Sequence, residues 1–359
     1  MRAPHFVLLC RAGFESECGQ EIVDHLGQKG VAAGFEGARG AGAVQLVFFG
    51  ARPASERARL MPPLQTLIFS RQLIEVIGVA ETPDSRDRVS PILSCLQDFT
   101  APLPWSSLEV MARCADENED LQRFVRRFAS PMANALRRAG QLSAARTDAH
   151  PLIVIFSGFD SAILGQLLSS NRAKTVDGVP RLKFPADAPS RSTLKLEEAW
   201  HTFLASERWY DYLGGGKLAV DLGAAPGGWT WQLVQQGMEV VAVDNGEMDS
   251  ALMKSGQVIH LRADGFTFRP SKRVDWMVCD MVEQPSRVLD LVADWFEQGF
   301  CRYSVFNLKL PMKKRYQEVV TCLDRLQARL QQAGLNCRVR ARQLYHDREE
   351  ITCFVESLS

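Results

Sequence analysis

Apolar runs of strand length alternate with helical segments in the second half of the chain, and this alternation restricts the fold more than any other sequence feature. Helix patterns follow Pro226 and cover 286–298 and 313–333. Strands that alternate with helices pair into a sheet with helices on both faces. The sequence therefore predicts an α/β, Rossmann-like domain with a seven-stranded, doubly wound sheet over residues 190–359. The seven apolar runs are KLAVDLG, EVVAVD, QVIHL, VDWMVCD, SVFNLKL, CRVRARQL and ITCFVES.

The first half of the chain predicts smaller α+β domains. At roughly 150 residues per domain, a chain of 359 residues holds two or three domains. Residues 1–80 combine strand patterns with a helix pattern at 15–28, and we expect one or two strands within 66–79. The polar, proline-containing segment 81–88 marks a boundary.

A second α+β domain is predicted over residues 81–170. Its clearest element is a long helix pattern at 119–139, which two apolar strand patterns follow. Residues 171–189 are rich in proline, lysine and arginine, and they form a predicted linker to the α/β domain.

Charge is balanced overall but uneven along the chain. The 42 basic residues equal the 42 acidic residues in number, which by itself argues against a nucleic-acid partner. The segment between Leu121 and Thr147, however, contains six arginines and no acidic residue. Arg126 and Arg137 are eleven residues apart, close to three helical turns, so they lie on one face. This face fits either a solvated helix surface or contact with phosphates. The six are Arg123, Arg126, Arg127, Arg137, Arg138 and Arg146.

Several classes of protein are excluded by composition. No apolar run approaches the roughly 18 residues needed to span a bilayer, so we expect no membrane association. The nine cysteines are scattered, with no C-x-x-C pair, which favours a reduced, cytoplasmic location. The six histidines share no ligand spacing, and we therefore expect no metal site.

A glycine-rich turn, DLGAAPGGW at 221–229, follows the first strand of the predicted α/β domain. Its spacing is neither G-x-G-x-x-G nor a Walker loop. Glycines allow the backbone to approach a ligand closely. Asp244 and Asp264 follow the next two strands, where an acid can accept hydrogen bonds from a ribose. The pattern predicts an adenosine-type cofactor without a pyrophosphate; the alternative is a structural turn with ordinary loop acids.

The same turn resembles the cofactor loop of S-adenosylmethionine-dependent ribose 2′-O-methyltransferases of the FtsJ type. Further matching motifs are SRSTLKLEEAW, VCDMVEQP, FNLKLPMKKRY and LYHDREEITCF. The similarity is dense over 180–354 and looser before. With the N-terminal extension, the motif set resembles the bacterial members that modify 23S rRNA. The resemblance implies that 1–80 is ferredoxin-like and that 81–170 is a THUMP RNA-binding domain.

The resemblance also implies site residues, substrate and cofactor. The substrate would be 23S rRNA or a large-subunit precursor particle, the target one cytidine of the peptidyl-transferase region, and the enzyme a monomer. A catalytic set would consist of Lys195, Asp280, Lys309 and Glu350, with Glu349 as an alternative for the last. S-adenosylmethionine would be bound by Ser192, Ala225, Pro226, Gly227, Gly228, Asp244, Asp264 and Asp280.

The chemistry of ribose methylation explains such a set. A 2′-hydroxyl is a very weak acid, so it must be aligned with the methyl group and lose its proton during attack. Lys309 is the candidate base. Lys195 would lower the pKa of Lys309 and steady the developing alkoxide, while Asp280 and Glu350 hold both amines.

Some of these residues have ordinary structural alternatives. Lys195 also fits an amphipathic helix start capped by Ser192 or Thr193. Asp280 fits a helix cap. The basic run Lys313, Lys314 and Arg315 fits either contact with RNA phosphates or a solvated helix start.

Competing reactions fit the residues less well. Amino-group methyltransferases carry (N/D)-P-P-(Y/F) where this chain reads DMVEQP. Cytosine C5 methyltransferases need a cysteine nucleophile, and Cys279 lies within a strand pattern typical of the core. A non-catalytic RNA-binding assembly factor is the alternative from another class, and the complete set of four catalytic positions argues against it.

Overall fold

The computed structural model describes residues 3–82, 84–97, 99, 105–113, 118–143 and 150–358. The chain divides into two compact units, Met1–Val179 and Pro180–Ser359. No helix among the described residues combines the length and apolar character needed to cross a membrane.

The first unit is built on a seven-stranded sheet with the order β2-β3-β1-β4-β7-β6-β5. Neighbouring strands are antiparallel except β5 and β6. The strands are β1 Phe6–Leu9, β2 Ala33–Glu36, β3 Ala43–Phe48, β4 Gln72–Glu81, β5 Leu108–Ala112, β6 Leu152–Phe156 and β7 Ser161–Leu167. The helices are α1 Glu15–Gln28, α2 Ala54–Leu60, α3 Val89–Gln97 and α4 Glu119–Arg138, with a 3₁₀ turn at Leu64–Thr66.

Strand β4 connects the two regions that the sequence predicts as separate domains. It pairs with β1 through Gln72–Glu75 and with β7 through Ile74–Glu81, with a register shift between Val76 and Gly78. One sheet therefore runs through both regions, and residue 80 lies near the end of a shared strand. The division into domains at that residue stays a prediction.

Two elements of the first unit were not predicted because they lack a periodic apolar pattern. Strand β2 is only four residues long, with the sequence AGFE, and none of its residues is buried. Helix α2 also has no buried residue. By contrast, α1 coincides with the predicted 15–28, and α4 with the long helix pattern, because each has a regular apolar face.

The second unit has a seven-stranded sheet with the order β10-β9-β8-β11-β12-β14-β13, which confirms the predicted α/β fold. Its strands are β8 Leu218–Leu222, β9 Glu239–Val243, β10 Val258–Leu261, β11 Val274–Cys279, β12 Cys301–Lys309, β13 Cys337–Arg342 and β14 Glu350–Ser357. Its helices are α5 Thr193–Phe203, α6 Trp209–Leu213, α7 Gly228–Gln235, α8 Ser250–Met253, α9 Pro285–Glu297 and α10 Arg315–Gln332, with a 3₁₀ turn at Ser206–Arg208.

The strand directions of this sheet position the functional site. Strands β8 to β12 are mutually parallel, whereas β14 runs antiparallel to both β12 and β13. Trp200 and Trp276 are fully buried in one core cluster against the sheet, together with Phe354. The carboxyl ends of five parallel strands consequently meet at one edge, where ligands bind in open α/β sheets.

Candidate functional site

Four ionic side chains form a closed ring at this edge of the second sheet. Lys195 Nζ lies 3.1 Å from Asp280 Oδ2 and 2.6 Å from Glu350 Oε1. Lys309 Nζ lies 3.1 Å from Asp280 Oδ1 and also pairs with Glu350 Oε2. Each carboxylate thus bridges both ammonium groups, so lysines and acids alternate around the ring.

Strand register brings the members of the ring together. Lys309 ends β12, and its antiparallel partner on β14 is Glu350. Asp280 immediately follows β11, whose last residue Cys279 pairs with Phe306 of β12. Lys195 comes from the first turn of α5. Three strands and one helix therefore converge on a site that no local segment contains.

The ring is partly buried and electrically balanced. The exposed fraction of the side chain is 4% for Glu350, 15% for Lys195 and 26% for Lys309. Burial by itself lowers the pKa of Lys195, but the charges and hydrogen bonds of Asp280 and Glu350 outweigh it and raise the pKa overall. Lys195 is accordingly a fixed ammonium group at neutral pH.

The adjacent Glu349 lies outside the ring. Its side chain is 62% exposed and its Oε2 lies 2.5 Å from Arg315 Nη2. Its carbonyl accepts a hydrogen bond from the Leu310 N–H at 2.8 Å. Of the two glutamates suggested by the sequence, Glu350 is therefore the one that contacts both lysines.

The structural alternatives for Ser192 and Asp280 are not observed. Ser192 is at the N-cap of α5, but its side chain makes no capping bond and instead lies 2.7 Å from Ser190 Oγ. Helix α9 has Gln284 at its N-cap, so Asp280 does not cap it. Strand pairing and burial thus direct Asp280 to the lysines.

The glycine-rich turn packs closely against the segment before α5. Gly223 and Gly227 have φ angles of +77° and +116°, which favour glycine. A Cβ on Gly228 would lie 2.3 Å from the hydroxyl oxygens of Ser190 and Ser192. A side chain at this position, where α7 begins, would therefore displace both serine hydroxyls.

Asp244 organises the same turn through its carboxylate. Oδ2 accepts a hydrogen bond from the Ala225 N–H at 3.0 Å, and Oδ1 accepts one from the Gly246 N–H at 2.7 Å. Asp264 is exposed, and its Oδ1 accepts from the Phe266 N–H at 2.9 Å. Both acids keep free lone pairs for a further ligand.

A cleft of about 410 Å³ lies between the turn and the ring. Four predicted cofactor residues line it: Ala225, Asp244, Asp264 and Asp280. Pro226, Gly227, Gly228 and Ser192 are not among its lining residues. The remaining residues that line the cleft are Gly223, Val243, Asn245, Ala263, Gly265, Phe266, Met281, Val282 and Glu283.

Comparison with known proteins extends these observations. Residues 188–319 match the FtsJ-like methyltransferase family, 3–74 the RlmM ferredoxin-like domain, and 87–166 the N-terminal part of ribosomal RNA large subunit methyltransferase M. The protein of that name from Marinobacter nauticus is 49% identical over 356 residues, which cover 98% of this chain and 99% of the relative. The chain belongs to the ribosomal RNA large subunit methyltransferase M family.

Similarity to this chain extends to a further relative of the same name and to solved structures. The Escherichia coli O81 protein of the same name is 46% identical over 98% of this chain and 96% of its own length. Among solved structures, TrmN from Thermus thermophilus matches 98% of this chain and 99% of its own at 15% identity, with a TM-score of 0.37. The resemblance to FtsJ-type enzymes and the ferredoxin-like N-terminal region are confirmed by the family matches.

This methyltransferase M family member also contains buried polar residues that are not among the predicted site residues. Asp221 is fully buried, and burial raises its pKa to about 7 although Thr230 Oγ1 donates to it at 2.6 Å. Asn307, Asp347 and Thr352 lie behind the ring and are also buried. Asn307 and Thr352 had a visible signal, because each is a polar residue within an otherwise apolar strand run.

The basic face of α4 is exposed in this family member. Leu121, Val125, Phe128, Met132 and Leu136 are buried on the opposite face. Arg123 forms an ion pair with Asp120, and Arg137 Nη1 donates to Asn134 Oδ1 at 3.1 Å. Arg146 lies outside the described residues. The exposed arginines of the helix are Arg123, Arg126, Arg127, Arg137 and Arg138.

The second predicted RNA contact lies next to the ring. Lys313 and Lys314 are exposed, and Lys314 has a φ angle of +57°, which is unusual for a residue other than glycine. Arg315 is half-buried and pairs with Glu349. Within the described parts of the chain, no group of histidine, cysteine and acidic residues has a metal-binding arrangement.

Proposed function

We propose that this protein transfers a methyl group from S-adenosylmethionine to a ribose 2′-hydroxyl of large-subunit ribosomal RNA. The ring of Lys195, Asp280, Lys309 and Glu350 beside the cleft is the observation that carries this proposal. The curated relatives, named for methylation of the large-subunit RNA, support the substrate class. By resemblance, the target is one cytidine in the peptidyl-transferase region of 23S rRNA.

The cleft fits the proposed cofactor in charge and hydrogen bonding. Asp244 and Asp264 offer carboxylate oxygens to ribose hydroxyls and a favourable field for a cation. By resemblance, Gly227, Gly228 and Ser192, which do not line this cleft, would hold the amino-acid end. S-adenosylmethionine supplies an electrophilic methyl group on a sulfonium.

The ring would then align and deprotonate the substrate hydroxyl. Lys309 is the more exposed of the two lysines, so it is the better placed to meet an incoming ribose. In its neutral form it accepts the hydroxyl proton as the new O–CH₃ bond forms. Lys195 stays charged and stabilises negative charge on the oxygen. Asp280 and Glu350 hold the two lysine Nζ atoms in position through their ion pairs.

Binding of the RNA substrate is assigned to two basic surfaces. The first consists of Arg123, Arg126, Arg127, Arg137 and Arg138 on α4, within the proposed THUMP-like domain 81–170, and contacts phosphates without reading sequence. The second consists of Lys313, Lys314 and Arg315 beside the ring. We further propose a ferredoxin-like domain over 1–80, a linker at 171–189 and a catalytic domain over 190–359. A monomer acting in the cytoplasm stays a prediction.

The test is nucleoside mass spectrometry of 23S rRNA taken from cells that lack the enzyme. We expect wild type with S-adenosylmethionine to produce 2′-O-methylcytidine, and Lys309→Ala to produce none. Lys272→Ala removes an exposed lysine that precedes β11, at the opposite end of that strand from Asp280, and should behave as wild type. A methyl group on a base would contradict the proposal. If free RNA gives no product, the same assay on precursor particles decides between this reaction and a non-catalytic assembly role.

A further inference from the structure

A hydrogen-bond network of buried side chains runs from the ring into the protein interior. Asn307 Nδ2 donates a hydrogen bond to Asp280 Oδ1 at 2.8 Å. Thr352 Oγ1 lies 2.7 Å from Asn307 Oδ1 and 3.0 Å from both carboxyl oxygens of Asp347. The side chains of Asn307, Thr352 and Asp347 are inaccessible to solvent. The network therefore links Asp280 to a carboxyl group that has no contact with water.

The protons available along this hydrogen-bond network define the protonation state of Asp347. A threonine hydroxyl has one proton. Its shortest contact is with the Asn307 carbonyl oxygen, which can only accept. When the proton is donated there, the contact between Thr352 Oγ1 and Asp347 needs a donor on the acid. Asp347 Oδ2 accepts from the Leu344 N–H at 2.8 Å, so the donor is Oδ1.

The surroundings of Asp347 favour the same state. Burial raises the pKa of Asp347 well above its ordinary value, and the negative charges of Glu350 and Glu198 add to this. The Leu344 N–H and the charge of Lys195 act in the opposite direction without reversing the shift. Cys353, on the strand beside it, carries no charge because burial raises its own pKa.

We propose that Asp347 is a protonated carboxylic acid that positions the ring through Thr352 and Asn307. This inference rests on the proposed function, because it assigns a positioning role within the same site. The acid donates to Thr352, Thr352 donates to the Asn307 carbonyl, and the Asn307 amide is thereby turned with its NH₂ toward Asp280. Asp280 is consequently held as a charged acceptor between the two lysines.

Ionisation of Asp347 would reverse the donor–acceptor direction of the hydrogen bonds in this network. Thr352 would then donate to Asp347 and no longer to Asn307. The Asn307 amide would be favoured in its flipped orientation, with the carbonyl oxygen facing Asp280. Two acceptors in contact repel each other, so Asp280 would move out of register with Lys309. The neutral acid thus fixes one of two amide orientations without adding a third negative charge to the site.

Substitution at Asp347 separates the protonated from the ionised form. Asp347→Asn keeps the shape, cannot ionise, and supplies an NH₂ donor to Thr352 and an acceptor to Leu344. We expect its kcat to stay within about threefold of wild type. Thr352→Val removes the hydroxyl that connects Asp347 with Asn307. It should lower kcat at least about tenfold, with KM for RNA and affinity for S-adenosylmethionine unchanged. Ser304→Ala is the matched control. It removes a buried hydroxyl that lies on β12 outside the network, and it should retain full kcat.

An infrared measurement tests the protonation state without substrate. The difference spectrum of wild type minus Asp347→Asn should contain the C=O stretching band of a carboxylic acid at neutral pH. A carboxylate band instead, or an Asp347→Asn variant as inactive as Thr352→Val, overturns the inference. If wild type transferred no methyl group to ribose, the proposed function would fail, while the infrared result would still decide whether Asp347 is neutral.

Discussion

Glu349 and Glu350 are adjacent in sequence, yet their side chains lie in opposite environments. Glu350 is 4% exposed and contacts two lysines, whereas Glu349 is 62% exposed and contacts Arg315. The two residues offer a matched pair of substitutions of the same chemical kind.

Removing one carboxylate from the ring should cost both stability and activity. In Glu350→Gln, two partly buried ammonium groups face one carboxylate, and we expect the free energy of unfolding to fall by roughly 3 kcal/mol. Turnover should fall more than about tenfold because the lysines lose their alignment. Glu349→Gln should change the free energy of unfolding by less than about 1 kcal/mol. Urea unfolding and the methylation assay measure both effects; equal losses in the two variants would contradict the ring.

The buried Asp221 makes stability depend on pH. Its pKa is raised from 3.8 to about 7 in the folded protein, mainly by burial. Between these values the folded state binds a proton that the unfolded state has released, so this contribution to stability is lost as pH rises toward 7.

The comparison of wild type with Asp221→Asn isolates this effect. We expect the free energy of unfolding of wild type, relative to the variant, to decrease by a few kcal/mol between about pH 4 and pH 7 and to level off above. Urea unfolding at several pH values measures the difference. A difference that is constant over this range would show that Asp221 ionises normally in the folded protein.

At the scale of elements, α4 presents its arginines on the face opposite its buried stripe. In Arg126→Glu with Arg137→Glu, two positive charges become negative while the apolar face is untouched. We expect weaker RNA binding and a dependence of log K on log salt reduced by about 2, since two phosphate contacts are lost. Affinity for S-adenosylmethionine should not change.

A control for this helix comes from α2, which also carries an exposed arginine. Arg59→Glu makes the charge change of one of these two substitutions outside the α4 face, so it is compared with Arg126→Glu alone and should reduce RNA affinity much less. Electrophoretic mobility shifts at several salt concentrations provide the comparison. Equal losses for the two sites would mean that net charge, and not the α4 face, determines binding.

At the scale of the whole molecule, the chain divides into two units with separate sheets. The cleft and the ring are formed entirely within Pro180–Ser359, while the α4 arginines belong to Met1–Val179. We expect a fragment of residues 180–359 to fold and bind S-adenosylmethionine like the full chain, but to bind RNA at least about tenfold more weakly.

Calorimetry measures the affinity of each fragment for S-adenosylmethionine, and gel shifts measure its affinity for RNA. The complementary fragment 1–179 should bind RNA with nearly the affinity of the full chain and have no affinity for S-adenosylmethionine. Undiminished RNA binding by 180–359 would assign recognition to the basic residues beside the ring, Lys313, Lys314 and Arg315.

The sequence by itself determined the features that depend on neighbouring residues. Alternating apolar runs defined the strands of the second sheet, the 3.6-residue apolar period defined α1 and α4, and the glycine spacing defined the turn before α7. Elements without such a pattern, β2 and α2, were missed. The candidate lysines were found because motifs fix their place at the ends of elements.

Only the tertiary structure decided how distant residues combine. Lys195 and Asp280 are 85 residues apart, and Lys309 and Glu350 are 41 apart. Their contact depends on which strands pair and in what register, and a shift of one residue on β14 would direct Glu349 to the ring instead. The continuity of the first sheet through β4 and the buried chain to Asp347 have the same origin. Both are long-range pairings, which local patterns of apolar residues do not encode.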